Sequence, residues 1–514
     1  MGIRNVILKI KDWIKKNPVE FWILIATLLV GAFCRLYKID QYMTFLGDEG
    51  RDVIIVRRIF TELHPPLIGP GTSVGGMYLG PLYYYLMAIP LLIAGFSPVG
   101  PSIMVALLGT ATIAFIWRVG RTWFGRLSGI IAAGLYAISP TAIIFSHSSW
   151  NPNIMPFFAL LSIYSIWKVW VQKSTNWLIV LGVSVAFILQ SHYLALLLIP
   201  TLSVFWFLAY RKFKEKKLSK PFIKKSVLGL ICFLVLMSPL LFFDLRHDFM
   251  NTKAINKFLI ERQTNFSSSL GVAISQMPGI FNFINKSLIA GKNSIAATIS
   301  SVVITVGMIY MLLESRIRRK ASGIKKEYWL LFSWLGFGLI GLGLYKQSIY
   351  DHYLGFLFPV PFILIGVIIS KLMSKIFFTK IIGVAFLIYL IAINLSGNPF
   401  RKEPNNLMRR SKNVSRLVLD NIDGKPFNLA VIAKNNYEDG YRYFLELWGG
   451  RVLHADRWNP STISDQLMVI CENKPSECDP THSPKAEVAN FGMTKIDKQW
   501  EVEGVIIYRL VHTQ

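Results

Sequence analysis

Two adjacent carboxylates, Asp48 and Glu49, stand in the run Phe45-Leu46-Gly47-Asp48-Glu49-Gly50-Arg51-Asp52, directly after the first apolar stretch of the chain. A carboxyl group beside a low-dielectric wall has its pKa raised, and a neighbouring Arg51 pulls it down again, which is the setting of a general base. The pattern alone fits a helix cap equally well, with Asp48 satisfying free amides ahead of the segment Val53 to Phe60. Side chains that could bind an anion lie elsewhere: Arg246, His247, Lys346 and His352. Arg246 reads equally as a loop charge paired with Asp244 or Asp248, whereas Lys346 directly follows an apolar run and sits one short loop from His352. The stretches Ser146 to Asn153 and Gln190 to Tyr193 bring His147, Asn151 and His192, hydrogen-bonding groups that also suit capping at a wet boundary.

The elements that must position these residues are membrane helices. Of 514 residues, 53% are hydrophobic and 16% charged, far from the balance of a soluble globular chain. Eleven apolar runs approach the roughly 20 residues that a spanning helix needs: Val19 to Tyr37, Gly100 to Val119, Leu127 to Phe145, Asn153 to Val171, Trp177 to Gln190, His192 to Tyr210, Ser226 to Phe243, Ser294 to Leu313, Tyr328 to Tyr345, Tyr353 to Lys371 and Ile381 to Ser396. The first carries no cleavage pattern and reads as a retained helix. A twelfth run, Pro81 to Phe96, reads as a juxtamembrane or re-entrant helix, because counting it as a span would put every basic connection outside. Left out of the count, it places Arg118 to Arg126, Arg211 to Lys225, Arg316 to Lys326 and Lys371 to Lys380 on the cytoplasmic side with the N-terminus. The loop 38–99, the Asp244 to Asn293 loop and everything from Gly397 onward are then extracytoplasmic, and all eight histidines lie on or at that side.

The net charge of +26, from 55 Lys and Arg against 29 Asp and Glu, is thereby a topological signal and not a sign of nucleic-acid binding. From Gly397 the composition becomes that of a soluble module. Strand-like Asn428 to Ile432, Gln466 to Cys471 and Val502 to Leu510, with helix-like Tyr437 to Trp448, predict a small α/β domain over 397–514. Cys34 and Cys232 fall in apolar runs, and Cys471 and Cys478 could pair in an oxidising compartment, though spacing alone leaves that open.

The acidic pair, the turn-rich segment after it and the aromatic entry Gly80-Pro81-Leu82-Tyr83-Tyr84-Tyr85 resemble the first outer loop of the GT-C superfamily of membrane glycosyltransferases. The branch is the one holding protein O-mannosyltransferases and lipid A aminoarabinose transferases. His352-Tyr353 before a late span with Pro359 is similar to the same family. The resemblance implies an α-helical polytopic catalytic domain over 1–396, in a plasma (cytoplasmic) membrane, using a sugar (hexose or pentose) carried on polyprenyl phosphate. Transfer to a lipid, glycan or protein acceptor would occur outside, with Asp48 as base in a direct inverting displacement and Glu49 supporting it or bearing on a metal. Arg51, Tyr83, Tyr84, His147, Asn151, His192, Arg246, His247, Lys346, His352 and Tyr353 would contact substrate. A divalent metal stays open, because the segment Met77-Tyr78-Leu79-Gly80 lacks the glutamate that some relatives place there. A transporter or flippase of lipid-linked glycans is the competing expectation; it would show related halves and broken helices near the midplane.

Overall fold

The computed structural model describes residues 3–72, 75–260, 269–317, 325–345 and 347–513. Among these, seven helices are long and apolar enough to cross a bilayer: Pro18–Leu36, Val99–Phe124, Tyr193–Glu215, Ser219–Arg246, Ser294–Glu314, Lys326–Leu344 and Phe377–Ser396. Two more of the expected spans are pairs bent at a proline, Arg126–Ile138 with Pro140–His147 at 59° and Asp351–Leu357 with Pro359–Met373 at 61°. The remaining two are the helices Met155–Trp170 and Trp177–Ser191, of 16 and 15 residues. At about 1.5 Å per residue these fall short of the roughly 30 Å of a hydrocarbon core. The protein is thus a polytopic helical membrane protein, with seven full-length helices among the described residues, or nine spans if each bent pair counts as one, against an expectation of eleven. The basic connection Arg316 to Lys326 lies for the most part outside the described residues.

The first bend has a definite physical support. Pro140 has no amide to give to the Tyr136 carbonyl, and the bend also frees the Ala137 carbonyl. Arg35, fully buried in the first span, fills both: Nη2 donates to Tyr136 O at 3.2 Å and Nη1 to Ala137 O at 3.0 Å. Ser139 and Thr141 then tie the bend to Leu288 O and Ser287 O. At the second bend, Trp334 Nε1 donates to Phe356 O at 3.0 Å.

In the loop 38–99 the acidic run opens a helix, Gly47–Thr61, and the aromatic run forms a second helix, Leu82–Ile93. Twelve residues reach about 18 Å, so this helix cannot cross the bilayer. The turn between them is closed by Gly69 N to Leu79 O and Leu79 N to Pro70 O. A Cβ on Gly80 would lie 2.0 Å from Gln190 Oε1, so any larger residue there would displace that side chain. The segment after Asp244, read as an open loop, instead contains the helices Met250–Ile260 and Leu270–Leu288.

The C-terminal residues build a five-stranded sheet in the order β2-β1-β3-β5-β4, from β1 Phe427–Ile432, β2 Val452–Leu453, β3 Gln466–Cys471, β4 Thr494–Val502 and β5 Val505–His512. β1 pairs in parallel with β2 and β3, whereas β5 runs antiparallel to β3 and β4. β1 and β3 are buried on both faces and read as unbroken apolar runs. β4 was not expected: its exposed, charge-rich sequence hides the strand. Glu503 and Gly504, both at positive φ, turn it into β5. Cys471 and Cys478 are joined by a disulfide.

The sheet does not stand apart from the first loop. Met408, Tyr443 and Phe444 share one apolar core with Met43, Phe45, Val53, Val56, Tyr84 and Met87, each large side chain contributing about 1.5–3 kcal/mol by burial. Replacing Arg35 by Met should leave two buried carbonyls at the first bend without donors, each costing about 1–3 kcal/mol. A clear fall in the thermal midpoint of the detergent-solubilised protein is expected, and an unchanged midpoint would show that the bend does not need the guanidinium.

Candidate active site

The helix Gly47–Thr61 decides what each acid does. Its N-cap is Leu46, whose side chain cannot accept a bond, and the first turn is closed by Glu49 Oε2, which accepts Leu46 N at 3.0 Å. Glu49 is therefore the capping carboxylate, a role the sequence pattern offered to Asp48. Its burial pushes its pKa up to about 7, against the pull of the amides it accepts. Asp48, one position earlier, turns outward with 44% of its side chain exposed. Its Oδ1 accepts Arg51 Nη1 at 2.9 Å and the Tyr437 hydroxyl at 2.7 Å.

Arg51 is held from the other side by Asp52. Nε and Nη2 both reach Asp52 Oδ1, at 3.0 and 2.7 Å, and the Tyr84 hydroxyl donates to the same oxygen at 3.0 Å. Asp52 is wholly buried, so its pKa rises to about 6 even with the guanidinium pulling it down. Within the tyrosine run Tyr83 and Tyr84 are buried, and Tyr83 shares a 2.7 Å hydrogen bond with Ser149.

Three adjoining cavities meet at these residues. One of about 240 Å³ is lined by Leu46, Asp48, Phe145, Ser148, Trp150, Asn153, Asn435 and Tyr437, among others. A second, about 230 Å³, shares Asp48 and Trp150 with it and adds Arg51, Asn151, His192, Tyr193, His352 and Tyr353. A third, about 630 Å³ and walled by Ile55, Pro65, Pro66, Leu67, Ile68 and Phe243, carries Arg51, Arg58, His64 and Arg246. Asp48 and Trp150 thus belong to the first two cavities, and Arg51 to the second and third. Within the middle cavity the ring of Trp150 lies 4.6 Å from His352 and that of His192 4.7 Å from Tyr353. Burial lowers the pKa of His192 to about 3. Its Nδ1 accepts Leu194 N, so Nε2 carries the N–H of the neutral ring.

Of the residues singled out in the sequence, Asp48, Arg51, Asn151, His192, His352 and Tyr353 come together around one cavity, and Arg246 and Tyr84 line the neighbouring one. Asn151 spends its amide on Ser191 O. His147 lies apart, bonded to Ile143 O and packed against Tyr42 and Phe400. His247 is exposed and stacked on Phe243, with Nδ1 on Phe243 O. Asp244, offered as a partner for Arg246, instead caps the helix Met250–Ile260 through Asn251 N and Thr252 N. Lys346 lies outside the described residues. Sequence reasoning missed Asp52, Arg58 and Tyr437, and singled out Trp150 only within the stretch Ser146 to Asn153; an acid one helical turn after Asp48 was the signal available for Asp52.

No group of three His, Cys, Asp or Glu side chains is placed to hold a metal among the described residues. Asp48 Oδ1 is taken by Arg51 and Tyr437, and Glu49 Oε2 by the cap amide.

The family described as dolichyl-phosphate-mannose-protein mannosyltransferase matches residues 79–243. Among solved structures, ArnT from Cupriavidus metallidurans bound to undecaprenyl phosphate is similar with a TM-score of 0.58, at 13% identity, over 96% of this chain and 98% of that one. The archaeal oligosaccharyltransferase AglB from Archaeoglobus fulgidus, in complex with an inhibitory peptide and a dolichol-phosphate, follows at 0.53 and 11% identity, over 89% of this chain and 70% of that one. No curated protein matches the chain by sequence. The chain has the GT-C membrane fold, and the branch it is similar to is the one holding protein O-mannosyltransferases and lipid A aminoarabinose transferases.

Proposed function

We propose that the protein is a glycosyltransferase that moves a sugar from a polyprenyl-phosphate donor to an acceptor on the extracytoplasmic side of the membrane, with Asp48 as general base. The observation that carries this is the position of Asp48 on the wall between two cavities, with arginines lining only one side of it. The large cavity pairs an apolar wall with Arg51, Arg58 and Arg246, the combination a lipid chain ending in phosphate requires. The donor would place its sugar in the middle cavity among Trp150, His192 and His352, aromatic faces and neutral ring nitrogens suited to hydroxyls. The acceptor would approach from the cavity beside Asn435 and Tyr437.

In the reaction the acceptor oxygen or nitrogen forms a bond to the anomeric carbon while the bond from that carbon to the phosphate oxygen breaks. The leaving electron pair stays on the phosphate, where the guanidinium groups stabilise it, and the acceptor proton passes to Asp48. Displacement in one step inverts the anomeric centre. One carboxylate suffices, since a departing phosphate scarcely needs a proton. The disulfide supports the sidedness, because such bonds persist in oxidising compartments. It agrees with the basic connections expected on the opposite face.

The test is transfer of labelled sugar by the full chain in liposomes, supplied with undecaprenyl phosphate bearing mannose, glucose, galactose or arabinose in turn and the glycoconjugate fraction of its host membrane. Asp48→Asn should cut transfer by at least about a hundredfold while leaving binding of undecaprenyl phosphate intact; parental activity in this variant would refute the assignment. Arg246→Ala should lower kcat/KM for the donor about tenfold, and an unchanged kcat/KM would place the phosphate elsewhere. Glu49→Gln keeps the cap oxygen and should retain transfer. It should also alter pH dependence, because the folded-state pKa of Glu49 is raised from 4.5 to about 7. Below pH 4.5 the buried carboxyl is protonated in both states. As pH rises towards 7 the unfolded chain ionises first, and the fold loses up to about 3 kcal/mol. Thermal midpoints should fall between pH 5 and 8 in the parent and fall less in Glu49→Gln.

A further inference from the structure

The carboxylate assigned as the base is reached by a side chain 389 positions further along the sequence. The Tyr437 hydroxyl donates to Asp48 Oδ1 at 2.7 Å, the same oxygen that accepts Arg51 Nη1. Among the described residues both donors fall on Oδ1, and Oδ2 takes neither.

Tyr437 is braced on both sides. Asn436 Oδ1 accepts Gly47 N at 2.9 Å, and Asn436 Nδ2 donates to Glu472 Oε1 at 2.5 Å. Glu472 follows β3 and also accepts the Tyr441 hydroxyl and Arg410 Nη2. The ring of Tyr437 lies so close to Gly47 that a Cβ there would be 2.4 Å from it, and a Cβ on Gly50 would meet Asp439 at 2.3 Å. The acidic helix is therefore glycine at the two positions where the C-terminal segment presses on it. Burial holds the Tyr437 hydroxyl far above its ordinary pKa, so it remains a proton donor throughout the working range.

We propose that Tyr437 is a positioning residue for transfer: its hydroxyl, carried to the site by the C-terminal sheet, fixes the Asp48 carboxylate with Oδ1 occupied and Oδ2 left to take the acceptor proton. The C-terminal module on this reading is a wall of the active site. This rests on the assignment of Asp48 as base, and the two can fail separately.

Tyr437→Phe removes the hydroxyl and keeps the ring that packs on Gly47. In the liposome assay, with the same undecaprenyl-phosphate sugars, kcat should fall about tenfold to a hundredfold, the range expected for one charge-assisted hydrogen bond. The KM for the donor should stay within about twofold, since Tyr437 does not line the phosphate cavity. A merely structural tyrosine would not lower kcat at constant KM. In the Asp48→Asn background the same change should have no further effect on transfer. If Asp48→Asn is inactive while Tyr437→Phe keeps the parental kcat, the positioning role is overturned and the base assignment stands. If Asp48→Asn transfers like the parent, the base assignment itself falls, and the role given to Tyr437 falls with it.

Discussion

One guanidinium lies between a carboxylate that cannot reach water and one that can. Asp52 is fully buried, and a buried charge costs several kcal/mol unless it is paired and hydrogen-bonded. Arg51 answers with two bonds to one oxygen, and Tyr84 adds a third from the neighbouring helix. The nitrogen that remains reaches Asp48. The exposed acid thus inherits its placement from a buried pair that has no freedom to move. The short helix Leu82–Ile93 is tied to the acidic one by the same contact, so the loop behaves as one body.

The two proline bends serve the same place. The first leads into the stretch that carries Ser149 and Trp150, and the second follows the one that carries His352 and Tyr353. A straight helix would hide its polar groups in its own ladder or turn them to lipid, where they are costly. Breaking the ladder beside protein, with Arg35 and Trp334 filling freed carbonyls, lets polar and aromatic side chains converge on a cavity. Trp150 and His352, one from each broken element, meet there at 4.6 Å.

Much of this was legible in the sequence, for reasons particular residues make plain. Long apolar runs announce membrane helices whatever their partners, and the acidic pair stood out because it lies in the first outer loop ahead of a turn-rich and aromatic segment. What separates Asp48 from Glu49 was not legible. Both fit a cap, and only the path of the backbone after Leu46 shows that the third helical position, not the second, closes it. Tyr437 was invisible as a site residue because its significance depends on a fold that returns to the first loop from far along the chain. β4 escaped because an edge strand with one wet face alternates polar residues. The short spans and the helix Leu270–Leu288 were misjudged in length or kind because protein, rather than lipid, surrounds part of their surface.

The apolar core that joins Phe45 and Val53 to Tyr443 and Phe444 fixes when the site can come into being. A ribosome delivers the chain from the N-terminus onward, so the acidic helix emerges long before the strands that brace its partner. Closing a contact across 389 residues also waits on every helix in between. During synthesis the acidic loop is therefore made well before the segment that closes the cavity beside it.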